Sequence, residues 1–176
     1  MSETIPDTSL ASLPPGVRRV AETLAALGHP HTPVMLDGAA RTAQQAADAL
    51  GVALGQIAKS IIFRRKTDDR AVLVVTSGDL RVDEKKVQAI VCGEGGGKLG
   101  RADADFVKAR TGFSIGGVSP LAHAEPPVTL IDAQLFRFDI VWAAAGHPHG
   151  VFRLTPDDLR RLTGAPVHDV TAQPAT

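Results

Sequence analysis

Residues 60–79 read SIIFRRKTDDRAVLVVTSGD, two runs rich in β-branched residues separated by the polar segment KTDD. Two such runs around a turn make a β-hairpin, and the unbroken apolar stretch AVLVV makes its second arm a buried strand. The hairpin needs a sheet around it, and its flanks limit what that sheet can be.

Upstream, GVRRVAETLAAL at 16–27 puts Val17, Val20, Leu24 and Leu27 on one helical face, and Gly28 ends it. HPHTPVMLDG leads into a short strand. Thr42 caps a helix over AQQAADAL that Gly51 closes, and a further helical turn near LGQIAK enters the hairpin. Downstream, RVDEKKVQAIV is an amphipathic helix with Asp83 as its cap. CGEGGGKLGR is a glycine-rich break, and DADFVKARTG is a short helix with Gly112 past its end. Short apolar stretches follow: FSIGGVSP, PVTLID, FDIVWAAAG and GVFRL. Thr155-Pro156 opens a last helix, and VHDV is a closing strand. Helices come early, short strands dominate later, and strict βαβ alternation is missing. The expected fold is α+β: a mixed, partly antiparallel sheet or barrel with peripheral helices, in one domain. Its bounds are set at residues 14–170, with a polar N-terminal tail at 1–13 and a loose end, TAQPAT, at 171–176.

Charge restricts the partners. Nineteen basic residues balance nineteen acidic ones, whereas a broad grip on DNA or RNA requires a net positive surface to neutralise phosphates. A small contact with one end of an RNA remains compatible. The basic clusters Arg18–Arg19, Arg64–Lys66, Lys85–Lys86 and Arg160–Arg161 read first as solvated faces. No apolar run approaches the ~20 residues of a membrane span. The opening MSETIPDTSLASLPP has neither the basic nor the apolar segment of a signal peptide. The expected compartment is the cytoplasm. A single cysteine, Cys92, excludes an internal disulfide and a cysteine-rich zinc site, and it reads as a small buried filler.

Several chemistries fail on spacing. CGEGGGKLG imitates a phosphate-binding loop, but Cys92 stands where the first glycine belongs and Leu99 where the hydroxyl residue belongs. His29 and His31 flank Pro30, and His147 and His149 flank Pro148. Neither pair has helical metal-ligand spacing or a companion glutamate, so no metal and no cofactor is expected. Ser114 and Ser119 carry no signature of a catalytic triad.

Two features remain. Lys59 stands among Ile57, Ala58, Ile61, Ile62 and Phe63, where a lysine either snorkels to water along its stem or is held for a purpose. SIGGVSP, 114–120, is either a plain β-turn or a loop whose backbone comes close to a ligand with its amides turned outward.

In order, QIAKSIIF, LVVTSGDLRVDEKKV, TGFSIGGVSPLAH and VWAAAGHPHGVFRLTPDDL resemble the YbaK/prolyl-tRNA synthetase-associated editing domain over roughly residues 15–170. The resemblance implies a bent, barrel-like sheet surrounded by helices. It also implies hydrolysis of the ester joining a wrong small amino acid to a tRNA 3′ end. That reaction needs no metal, and a ribose hydroxyl of the substrate helps to position water. It implies a free-standing, trans-acting deacylase whose partners are the aminoacyl-tRNA acceptor end and, as a further candidate, a synthetase. On the matching motifs Lys59, Gly116 and Gly117 carry catalysis. Ser114, Pro120, Gly146, His147 and Pro148 bind substrate. AAAGHPHG departs from the Ser-Gly-Gly-Lys-like run of the cysteinyl-tRNA deacylases, so no cysteinyl preference is implied.

The physical logic agrees. A hydrophobic synthetase pocket separates substrates differing by one methylene by only ~1–3 kcal/mol, which makes a second sieve useful. Backbone amides suit the charge that develops on an ester carbonyl. Two other classes fit the same residues: a module that binds aminoacyl-adenosine without cleaving it, and a scaffold docking on a synthetase.

Overall fold

The computed structural model describes residues 12–38, 42–93, 95 and 97–172. The expected N-terminal tail up to residue 11, and residues 173–176, lie outside them.

Helix ends follow local chemistry. Helix α1 (Pro15–Ala26) starts with proline in its first turn and buries Val17, Val20, Ala21 and Leu24. In α2 (Ala43–Leu50) the Thr42 hydroxyl accepts from the Gln45 N–H and the Gln45 side chain accepts from the Thr42 N–H, both at 3.1 Å, satisfying amides that the helix itself leaves open. Asp83 caps α3 (Glu84–Val91) and Asp103 caps α4 (Ala104–Thr111). A Thr155–Asp158 capping box opens α5 (Pro156–Thr163). Gly51, Gly112 and Gly164 close α2, α4 and α5 in the left-handed conformation.

The expected hairpin is the centre of the molecule. Strand β2 (Ile57–Arg65) pairs antiparallel with β3 (Arg70–Ser77) from Ala58↔Ser77 to Arg65↔Arg70. Strand β6 (Val128–Asp132) adds parallel to β3, and β9 (Val167–His168) parallel to β6. On the other side β7 (Val141–Ala144) joins β2 in parallel. Strand β8 (Gly150–Leu154) then pairs antiparallel with β7, and β1 (Val34–Met35) with β8. The sheet is mixed and stays open, with β1 and β9 at its edges. Short 3₁₀ turns at Leu54–Gln56 and Ala133–Arg137 precede β2 and β7.

Side-chain alternation sorts the core into two layers. Ala58, Leu73, Val75, Ile131, Ala143 and Phe152 face α1, α4 and α5, meeting Val20, Leu24, Val107 and Leu159. Phe63, Val72, Val74 and Leu130 face the other way, onto Val87 of α3 and Val170.

Three local readings are corrected. Leu99–Arg101, inside the stretch read as a glycine-rich break, is strand β5 on the far end of β2. Arg81–Val82, read as the start of a helix, is strand β4, and the helix begins after its Asp83 cap. Thr171–Ala172, read as part of a loose end, is strand β10 antiparallel to β4. All three strands are too short to carry a periodicity of their own, and pairing defines them. Residues 113–120 form a loop with no strand.

Candidate active site

The loop after α4 is built around Gly112 and Thr111. The Thr111 hydroxyl accepts from the Phe113 N–H at 2.9 Å, turning the chain toward Ser114. Ser114 to Gly117 form a turn closed by the Gly117 N–H donating to the Ser114 carbonyl at 3.0 Å. Gly116 is its third residue with φ +95°, the position where such a turn demands positive φ. The amide of Gly117 is therefore used internally, whereas that of Gly116 has no partner among the described residues.

The second loop connects β7 and β8. The Ala145 N–H donates to the Gly150 carbonyl at 2.8 Å, the Gly150 N–H to the His147 carbonyl at 3.0 Å, and Gly146 sits at φ +88°. The His149 N–H donates to Nδ1 of His147 at 3.1 Å. A neutral imidazole accepting at Nδ1 carries its proton on Nε2, so His147 offers a donor from that side of its ring.

These loops meet. Ser114, Gly117, Gly146, His147 and Pro148 line one cavity of about 330 Å³, and Pro14, Pro15 and Gly16 at the start of α1 contribute to its wall. Gly116 stands beside it, since a β-carbon there would lie 3.9 Å from Pro148 Cγ. Pro120 is buried in the following segment and is not part of the lining.

Lys59 is not part of it either. It sits in β2 opposite Thr76, on the sheet face that carries Ile61 and Phe63, and is half-buried. Burial, helped by the charge of Arg81 and partly opposed by Asp79, lowers its pKa below the ordinary lysine value. The ammonium is thus partly desolvated without a close carboxylate partner, a state that gathers at functional sites.

Two charged lining residues were not among the expected site residues: Arg19 of α1 and Lys108 of α4. Arg19 looked like one member of a solvated basic pair. Instead its guanidinium lies 5.3 Å from the centroid of the Phe113 ring, a cation–π stack. Only the helical phase of Arg19 relative to Arg18 hinted at the difference. With His147 and the Ser114 hydroxyl, the lining carries four cationic or proton-donating side chains and, among the described residues, no carboxylate. Behind Phe113 lies His123, edge to face at 5.5 Å, with Nε2 2.6 Å from the Ser119 carbonyl. Burial lowers its pKa. Among the described residues no group of three or more His, Cys, Asp or Glu is placed to hold a metal, and no helix is long and apolar enough to cross a membrane.

The α+β domain has its pocket between two glycine loops, and among the described residues the lining offers hydrogen-bond donors and positive charge and no carboxylate. The chain belongs to the aminoacyl-tRNA editing domain family, whose pattern matches residues 37–162. It is similar to YwhH of Bacillus subtilis strain 168, a protein of uncharacterised role, with 36% identity over 122 residues, 69% of this chain and 74% of that one. It is 33% identical to a proline–tRNA ligase of Leuconostoc citreum over 106 residues, 60% of this chain but only 17% of the ligase. Among solved structures, a proposed trans-editing enzyme for prolyl-tRNA synthetase superposes with a TM-score of 0.84 and 40% identity, covering 92% of this chain and 99% of that one.

Proposed function

We propose that this domain hydrolyses, in trans, the ester between a mischarged small amino acid and the 3′ end of a tRNA. The observation that carries the reading is the cavity between the Ser114–Gly117 and Gly146–Pro148 loops, in a chain of the editing family. At about 330 Å³ it is at the small end of ligand pockets, which favours a short acyl side chain.

Ester hydrolysis requires a placed water and donors for the developing oxyanion. The unpartnered Gly116 amide and the Nε2–H of His147 are the donors at hand. Among the described residues the lining holds no carboxylate base, and His147 already accepts at Nδ1. That fits a reaction in which a ribose hydroxyl of the substrate positions the water. It also fits a metal-independent reaction, since the lining offers neither a carboxylate nor a thiol ligand. Lys59, outside the lining, is assigned to steady the acceptor end beside the cavity rather than to touch the ester within it. The working unit is residues 14–170 extended by β10. It acts in the cytoplasm on the acceptor end, with a prolyl-tRNA synthetase as the candidate partner.

The test is a deacylation panel of purified protein against tRNAs and minimal acceptors charged with alanine, serine, cysteine, threonine and proline, with and without EDTA. Turnover of one mischarged pair, unaffected by chelator, is expected. Binding of these substrates without cleavage would reduce the domain to a recognition module.

A further inference from the structure

The cationic side of the pocket has a job that ester cleavage alone does not require. We propose that Arg19 and Lys108 form a phosphate subsite, holding the phosphodiester that precedes the terminal nucleotide of the substrate. This rests on the reading of the pocket as an acceptor-end site and adds to it how the nucleic-acid backbone is held.

Arg19 is prepared for an anion. Its guanidinium is stacked on Phe113, and it passes over Gly112 so closely that a β-carbon there would stand 2.5 Å from Nη1. The planar group thus rests on an aromatic face and against backbone at the pocket wall, contacts that lower the ordering cost of each hydrogen bond it makes to a ligand. It forms no ion pair among the described residues, while seven other basic side chains do. Lys108 donates once, to the Gly112 carbonyl at 3.2 Å, which leaves ammonium protons for a ligand. Among the described residues the lining contains no acidic residue to compete. No side chain caps α1 and its first turn holds no acid, so the helix end adds to the same positive field. A planar arginine fork beside a lysine point charge matches a phosphodiester better than a carboxylate ester. The site needs only one phosphate, which agrees with a net charge of zero.

Binding tests this apart from hydrolysis. The probes are cytidylyl-(3′,5′)-adenosine and the same dinucleotide with a neutral methylphosphonate linkage, titrated by calorimetry against the full chain. Wild type should bind the charged probe about tenfold more tightly, a difference of about 1.4 kcal/mol. Arg19→Gln, which keeps much of the stem packing, should erase that preference, so that the variant binds the two probes with equal affinity. Arg19→Ala should do the same, with circular dichroism confirming the fold. Equal affinity of wild type for the two probes, no binding of either, or a preference that survives in both variants would overturn the subsite. So would competition by inorganic phosphate as strong as by the dinucleotide, since the site would then be a general anion site. Failure of the deacylation panel with the probe preference intact would remove the hydrolase reading and leave the subsite standing.

Discussion

A β-carbon added to Gly117 would stand 2.7 Å from the carbonyl carbon of His147 and 2.8 Å from its Cα and N. The two loops of the pocket touch through bare backbone, and backbone cannot rotate away as a side chain can. Positive φ belongs to the neighbouring Gly116 and not to Gly117. Gly117→Ala should therefore push the loops apart, costing about 1–3 kcal/mol of stability and lowering turnover more than tenfold through misplacement of the reacting groups. Thermal melting and single-turnover deacylation measure the two effects. Wild-type values for both would show that the contact is slack.

Lys59→Ala should leave the domain folded and lower deacylation at least about tenfold, roughly 1.4 kcal/mol of barrier. Lys59→Arg should rescue little, because a planar fork does not replace a compact ammonium. A wild-type rate in the alanine variant would make Lys59 a packing residue only.

The same lysine has a pH signature. Its folded pKa lies below the ordinary value of 10.5, so between the two the folded state binds fewer protons than the unfolded one. Stability contributed by this group thus rises as pH climbs from the folded pKa towards 10.5. Subtracting the melting profile of Lys59→Met from that of wild type should isolate a rising difference on the alkaline side. A flat difference would show that the ammonium is well solvated in the fold.

His123 behaves alike at lower pH. Burial, with Arg19 nearby, holds its pKa below the ordinary 6.5, against a smaller opposing effect of the bond to the Ser119 carbonyl. The unfolded chain takes up the proton first, so stability falls as pH drops below 6.5 towards the folded pKa. His123→Gln should flatten that part of the acid-side decline in melting temperature. Parallel wild-type and variant profiles from pH 7 to 5 would contradict it.

Asp132 ties the chain's last described strand to the sheet. It is fully buried. Its Oδ1 accepts from the Val170 N–H at 3.0 Å, and its Oδ2 from the Thr171 hydroxyl at 3.1 Å and the Gln134 N–H at 3.2 Å. Asp132→Ala strands three donors and should cost about 3 kcal/mol. Urea unfolding reads the loss, and faster hydrogen exchange at Val170 and Thr171 would locate it. Unchanged exchange there would mean that β4 alone holds β10.

What the sequence determined by itself is local. The caps at Thr42, Asp83 and Thr155, the closing glycines and the hairpin at 60–79 are short-range signals, because each depends on hydrogen bonds or side-chain periods within a few residues. Family motifs also marked Ser114, Gly117 and Gly146 to Pro148 before any contact between them was visible. Tertiary structure decided the rest. Strands β4, β5 and β10 exist because a neighbouring edge supplies their hydrogen bonds. Lys59 takes its face from the period-two alternation and register of β2. Arg19 and Lys108 meet at one pocket only because α1 and α4 pack on the same side of the sheet, bringing an arginine whose own cluster read as solvated surface beside a lysine distant in sequence.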